Sequence, residues 1–148
     1  MRIIADEMIS PKIVRVISET LLRTNWRFDT IETANLRGRA DEDWIATFAR
    51  TGGNALISGD RAMLKRTALV KQISDLGLTG VYLPSKWANS RGNVQLAYCS
   101  YWWKTIEDTL EQCTPGSVWL TPSGMGSGEL RQYVDKKAVE RAKQEANR

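Results

Sequence analysis

The sequence of 148 residues contains no histidine. Histidine is the only side chain whose ordinary pKa lies within the physiological range. Its absence excludes histidine acid–base catalysis, Ser-His triads and His-ligated zinc sites. Catalysis near neutral pH must therefore depend on carboxylates, Lys, Tyr, Cys or a metal ion held by oxygen ligands.

Long apolar runs are also missing from the chain. None approaches the ~20 residues that a membrane-spanning helix needs. The N-terminal stretch has one arginine and meets acidic residues at position 6, so we expect no signal peptide and no membrane partner. The length suits one domain with its own core, and we expect that domain in the cytoplasm.

Cysteine is scarce, and the two present, Cys99 and Cys113, fall in one predicted helix. Their separation corresponds to about 21 Å along a helix, whereas a disulfide needs Cα atoms within about 7 Å. They cannot pair with each other there, so we expect buried, reduced thiols.

Strand-like and helix-like segments alternate along the chain. Apolar or alternating runs predict strands at 2–5, 27–33, 55–58, 79–83 and 117–121. Periodic segments predict helices at 11–23, from 41 to the glycine pair at 52–53, at 62–76, at 93–112 and at 129–146. We therefore predict an α/β fold, a three-layer α/β/α sandwich around a central, mostly parallel five-stranded sheet.

The chain divides into three predicted parts. Residues 1–122 form the α/β domain, residues 123–128 a flexible Gly/Ser linker, and residues 129–148 a charged C-terminal helix. Ser10 is expected to cap the helix at 11–23, with Pro11 at its first position. Asp41 is expected to cap the second helix.

The topology brings three acidic motifs to one edge of the sheet. Asp6 ends the first strand, Asp60 follows the third, and Asp41 opens the helix that returns from the second. Carboxyl ends of parallel strands share the edge where open α/β sheets bind ligands. A cation bound between these carboxylates would offset their mutual repulsion. Because carboxylates offer oxygen ligands, the cation is expected to be Mg²⁺ or Mn²⁺. Structural roles stay open, with Asp41 as a cap and Asp60 as a turn residue.

The charge distribution suits phosphoryl chemistry beside such a site. Residues 61–104 hold seven bases and one acid, which indicates either a solvated surface or a groove that follows phosphates. A bound metal ion would activate a water molecule and stabilise charge on an attacked phosphorus. The candidate nucleic-acid-binding residues are Arg37, Arg39, Arg61, Lys65 and Arg66.

Three segments resemble the short PIN-like subgroup of PIN and PIN-like ribonucleases: Ile3-Ile-Ala-Asp-Glu7, Ala40-Asp-Glu-Asp-Trp-Ile45 and Leu56-Ile-Ser-Gly-Asp-Arg61. The resemblance covers about residues 1–85. It implies an α/β/α sandwich that cleaves RNA with Mg²⁺ or Mn²⁺. Many members are VapC-like toxins of toxin–antitoxin modules, so it also implies a cognate antitoxin as partner and a homodimer as a frequent assembly.

The resemblance also implies roles for individual residues. Asp6, Asp41 and Asp60 match the first, second and third catalytic acids and metal ligands. Many members have a fourth acid after a later strand, but Leu83-Pro-Ser-Lys86 has none. Glu7 or Asp43 could take its place, and Ser58 could orient a ligand or a water molecule.

Two other interpretations are open. A PIN-like fold could bind RNA or a protein without cutting it, with Tyr98, Tyr101 and Trp102 stacking on bases or packing in the core. A phosphoacceptor receiver domain also has an acidic pair after its first strand and an Asp after its third. That domain needs a lysine after strand five, where this chain has Thr121-Pro-Ser-Gly124.

Overall fold

The strands are two to four residues long, and most of their side chains are buried. The computed structural model describes residues 1–148. Its strands are β1 (Arg2–Ala5), β2 (Arg27–Thr30), β3 (Ala55–Ser58), β4 (Thr79–Tyr82), β5 (Val118–Leu120) and β6 (Arg131–Gln132). Its helices are α1 (Pro11–Thr20), α2 (Asp41–Arg50), α3 (Thr67–Asp75), α4 (Ser85–Ala88), α5 (Gly92–Gln112) and α6 (Lys136–Ala146), and a 3₁₀ helix spans Arg61–Lys65.

The sheet has the order β2-β1-β3-β4-β5-β6. The first five strands in this order are parallel, and β6 pairs antiparallel with β5. Ala5 at the end of β1 lies opposite both Thr30 and Ile57. The ends of neighbouring strands are therefore level, which places whatever follows them at one common edge.

Helices cover both faces of the sheet. One buried cluster joins Ile3 of β1 to Ile13 of α1 and Trp103 of α5. The other joins Ile4, on the opposite face of β1, to residues of α2 and α3 such as Trp44. This alternation along β1 confirms the predicted α/β/α sandwich. None of the helices combines the length and the apolar character that crossing a membrane requires.

The sheet differs from the prediction in having a sixth strand. Residues 129–146 were expected to form one helix, but α6 begins only at Lys136. Leu130 is instead buried in the core beside α5, and this anchor holds Arg131 and Gln132 against β5. The expectation of a helix from 129 was wrong because burial of one leucine outweighs the helical preference of the charged residues around it.

The Gly/Ser segment at 123–128 is pinned rather than a free linker. The Trp87 indole donates a hydrogen bond to the carbonyl of Ser123 at 2.8 Å. The indole of Trp102 donates to the carbonyl of Gly124 at 3.0 Å, and the hydroxyl of Tyr101 donates to the carbonyl of Gly126 at 2.7 Å. The aromatic residues of α4 and α5 thus fix this loop above the carboxyl end of β5.

Several smaller predictions have definite outcomes. Ser10 caps α1 with its side chain, as expected. Asp41 does not cap α2, since Ala40 takes that position and no side-chain bond is made there. Cys99 is buried and free, whereas Cys113 lies beyond the end of α5 and is half-buried, so its predicted full burial was wrong.

Candidate active site

Asp6 is a buried carboxylic acid at the carboxyl end of β1. Its side chain is only 7% exposed. Oδ1 accepts hydrogen bonds from the backbone N–H groups of Met8 at 3.0 Å and Gly59 at 3.3 Å. Oδ2 accepts a short hydrogen bond from the Ser58 hydroxyl. Burial raises the pKa of Asp6 despite these donors, and the negative charge of Asp60 adds to the rise.

Asp60 lies next to Asp6 because both are connected to Ser58. The Ser58 hydroxyl donates to Asp6 and accepts from the backbone N–H of Asp60 at 2.9 Å. The Asp60 carboxylate caps the 3₁₀ helix by accepting from the N–H of Ala62 at 2.9 Å. Ser58 is fully buried, so the link between the two acids is shielded from water.

Asp41 is at the same edge of the sheet but is bound to other residues. Its carboxylate accepts from Arg66 at 2.8 Å and from the indole of Trp44 at 3.1 Å. Arg66 also pairs with Glu42. No three acidic or cysteine side chains lie close enough together to hold a metal ion. The structure therefore brings together two of the three predicted acids and leaves the third in an ion pair.

The candidates for supporting roles are in different surroundings. Ser58 contacts Asp6 directly. Glu7 is exposed and lines a cavity of about 230 Å³ with Asp6, Thr30, Glu32 and Arg37. Asp43 is exposed and lies 3.9 Å from Arg39. Glu7 is thus beside the site, on the side toward β2, while Asp43 belongs to the surface of α2.

The predicted basic residues are mostly neutralised. Arg66 pairs with Asp41 and Glu42, and Arg37 and Arg39 lie 4.0 and 3.9 Å from Glu32 and Asp43. Lys65 is exposed and forms no ion pair. Arg61 differs from all of these because its side chain turns inward to the carbonyl of Thr121 at 2.9 Å. Exposed ion pairs of this kind contribute little to stability. Little free energy is therefore lost when one of these arginines leaves its acidic partner.

Gln95 is a positioning residue that the sequence did not reveal. Its buried amide donates to the carbonyls of Met8 at 3.1 Å and Ala88 at 3.0 Å, and it accepts from the N–H of Ser10 at 3.2 Å. It thus fixes the turn that follows Asp6 to helix α5. The sequence does contain an indication of this role, because Gln95 falls on the buried, mostly apolar face of α5. A buried amide without hydrogen-bond partners would destabilise the fold.

Gly59 packs closely against the two chain segments that contain Met8 and Ala88. A Cβ atom at this position would lie 2.7 Å from Cβ of Ala88 and 2.8 Å from Cβ of Met8. Only glycine lets the loop after β3 approach both segments this closely. The close approach places the Gly59 N–H against Asp6.

Asp6 and Asp60 together suit a divalent cation that has few protein ligands. Mg²⁺ is commonly bound by one or two carboxylates, with water and substrate phosphates completing its ligands. Asp6 and Asp60 provide two carboxylates, which the Ser58 hydroxyl connects at the edge of the sheet. The residues present therefore fit one such ion, with Asp6 and Asp60 as its protein ligands.

Comparison with known proteins gives one match. A family model described as "PIN like domain" matches residues 1–85. The matched segment is more than half of the chain and includes Asp6, Asp41 and Asp60. Neither the curated proteins nor the solved structures include a significant match to the chain.

Replacing Asp6 with Asn should stabilise the protein when no divalent ion is present. The raised pKa means that ionising Asp6 costs more in the folded than in the unfolded chain. This destabilisation is complete above the folded pKa and disappears as the pH falls below the ordinary value of 3.8. In EDTA at pH 7.5 we therefore expect Asp6→Asn to melt at a higher temperature than the wild type, and the difference should shrink as the pH falls towards 4.

The measurement is thermal unfolding by circular dichroism between pH 4 and pH 8. Asp75→Asn is the matched control, because Asp75 is an exposed acid at the end of α3. A lower melting temperature for Asp6→Asn at pH 7.5, or a difference independent of pH, would contradict the electrostatic interpretation.

Proposed function

The chain belongs to the PIN-like domain family, which often has nuclease activity, and we propose that it is a metal-dependent endoribonuclease that hydrolyses RNA phosphodiester bonds. The observation that carries the proposal is the pair of acids, Asp6 and Asp60, connected through Ser58 at the carboxyl edge of the sheet. A buried acid with a raised pKa beside a second acid is typical of functional sites. Histidine is absent, so these carboxylates are the groups at the edge best suited to the chemistry.

Each residue of the site has a separate part in the proposed reaction. Asp6 and Asp60 would hold Mg²⁺ or Mn²⁺. When bound, this ion supplies a water molecule of lowered pKa and positive charge that stabilises the attacked phosphate. Ser58 fixes the orientation of the Asp6 carboxylate through its hydrogen bond to Oδ2. The buried phenol of Tyr82 keeps its proton, since burial and both acids raise its pKa, so it does not act as a base.

Cleavage should require both acids and a divalent ion. We expect the wild type to cleave single-stranded RNA with Mg²⁺ or Mn²⁺ and to lose activity in EDTA. Asp6→Asn and Asp60→Asn should each reduce the rate by about 100-fold or more, since a metal ion contributes several kcal/mol to stabilising the charge of the transition state. Gel electrophoresis of labelled RNA measures this directly.

Asp75→Asn serves as the control for this assay as well, because it removes an acid at the opposite edge of the sheet. Equal cleavage by wild type and the two site variants would assign the activity to a contaminant. If the wild type does not cleave RNA with either ion, the nuclease proposal is wrong and a non-catalytic binding role is favoured.

That alternative is a PIN-like module that binds RNA or a protein without cutting. It is favoured by the engagement of Asp41 with Arg66 and by the absence of any group of three carboxylates. Under the nuclease proposal, Asp41 becomes a third ligand once Arg66 moves away. Under the alternative, Asp41 only joins α2 to the end of the 3₁₀ helix.

The variant Arg66→Gln separates these two roles of Asp41. If Asp41 is a ligand held in reserve, freeing it should tighten Mn²⁺ binding by up to about fivefold, the equivalent of an exposed ion pair. Isothermal titration calorimetry measures the affinity. Arg39→Gln is the control, since Arg39 pairs instead with Asp43. Unchanged affinity in Arg66→Gln would remove Asp41 from the set of metal ligands.

We further propose that the chain is the toxin of a toxin–antitoxin pair, with a cognate antitoxin as its partner and a homodimer as its assembly. The support is the resemblance of its three acidic motifs to those of VapC-like toxins. Induced expression of the wild type should arrest the growth of a bacterial host, and Asp6→Asn should not, at equal protein levels. Growth arrest by both proteins, or by neither, would contradict the toxin proposal.

A further inference from the structure

A second cavity lies at the same edge of the sheet, beyond the ends of β4 and β5. It has a volume of about 410 Å³, and its walls include Arg61, Thr121, Ser123, Glu129 and Arg131. Arg131 lies opposite Leu120, near the end of β5, so its side chain starts at this edge. We call this cavity the arginine pocket.

Arg61 is the inner wall of the arginine pocket, and its charge has no counterion. Nη2 donates to the carbonyl of Thr121 at 2.9 Å, but Nε is buried with no hydrogen-bond partner. Burial lowers the pKa of Arg61, and the nearby positive charge of Arg131 lowers it further. Two cations face this cavity and neither is paired with an acid, which is an unfavourable arrangement that a bound anion would relieve.

Neither arginine forms an ion pair within the chain. Glu129 is the one acid in the wall, and it is exposed and pairs with neither. Arg61 therefore differs from Arg37, Arg39 and Arg66, which each have an acidic neighbour. Because Nε of Arg61 is buried, a ligand that enters from solvent would contact Nη1 of its guanidinium, which donates to no group within the chain.

The outer wall of the pocket is preformed. The loop that carries Ser123 is held by the Trp87 indole and by the Tyr98 hydroxyl, which donates to the carbonyl of Pro122. Thr121 Oγ1 also lies 2.7 Å from the Tyr98 hydroxyl. A fixed loop that carries serine hydroxyls beside two arginines is suited to a tetrahedral oxyanion, because little ordering is needed on binding.

We propose that the arginine pocket binds a backbone phosphate of single-stranded RNA, a few nucleotides from the bond that the acids would cleave. Guanidinium groups bind phosphate oxygens through paired, charge-assisted hydrogen bonds. The inference rests on the proposed function only for the identity of the polymer as RNA. The pocket itself follows from the unpaired arginines.

The position of the pocket fits a flanking phosphate. The ends of β3 and β5 are two strands apart, or about 10 Å at the usual strand spacing. Each strand of double-stranded DNA has one phosphate per about 3.4 Å of helix axis, so a strand stacked in the same way covers this distance with about three nucleotides. An RNA strand bound at the acids after β1 and β3 would therefore be long enough to reach the arginine pocket beyond the end of β5.

The test measures binding of the full chain to a fluorescently labelled eight-nucleotide RNA in EDTA, where metal-dependent cleavage is off. We expect Arg131→Gln to weaken binding by roughly 3- to 10-fold. It should also reduce the slope of log affinity against log salt by about 0.7, the value for one lost phosphate contact on a single strand. Arg131 is exposed on a two-residue edge strand, so the fold should tolerate the change.

Two further variants make the result specific. Arg50→Gln removes the same charge from an exposed position at the far end of α2, on the opposite edge of the sheet, and should change neither the affinity nor the slope. Glu129→Gln removes the one negative charge of the pocket and should tighten binding. The proposal is overturned if Arg131→Gln behaves like Arg50→Gln, or if Glu129→Gln leaves the affinity unchanged.

Failure of the nuclease proposal would look different. In that case Arg131→Gln still weakens RNA binding in EDTA, but no variant and no wild type cleaves RNA with Mn²⁺. If the wild type cleaves RNA and Arg131→Gln binds RNA with full affinity, the nuclease proposal stands and the phosphate-binding role of the arginine pocket is wrong. The two assays therefore report on the two proposals separately.

Discussion

The burial of one carboxylate, that of Asp6, constrains the whole edge of the sheet. A buried acid needs donors around it, and here three donors come from two chain segments, the turn at Met8 and the loop formed by Ser58 and Gly59. Those segments must approach within van der Waals distance, which requires glycine at 59. Gln95 of α5 then holds the turn at Met8 in place. The fold of the edge thus follows from keeping this acid hydrogen-bonded away from water.

Much of the fold could be predicted from sequence because β1, β3 and β4 are apolar runs with clear ends. The position of Asp6 followed from the end of β1, and Ser10 followed from capping chemistry. The strand β6 could not be predicted, since two residues are too short to show a period and Leu130 alone carries the burial. Helix α4 was missed for the same reason of length.

The candidate site was only partly predictable, because sheet topology specifies an edge but not the partners of each side chain. Asp6 and Asp60 adjoin because β1 and β3 are neighbours with level ends. Asp41 was expected with them, yet its carboxylate forms an ion pair with Arg66 instead. Long-range partners such as Gln95 with Met8 and Arg61 with Thr121 have no periodic signature in a sequence.

The edge of the sheet carries two opposite charges that do not neutralise each other. Asp6 is a buried anion without a cation, and Arg61 is a partly buried cation without an anion. They cannot pair, because Ser58 fixes the carboxylate on β1 while the carbonyl of Thr121 holds the guanidinium at β5. An isolated charge of either sign is costly inside a protein. A divalent cation at the acids and a phosphate at the arginines would satisfy both, and an RNA phosphodiester chain is a polymer that can engage the two together.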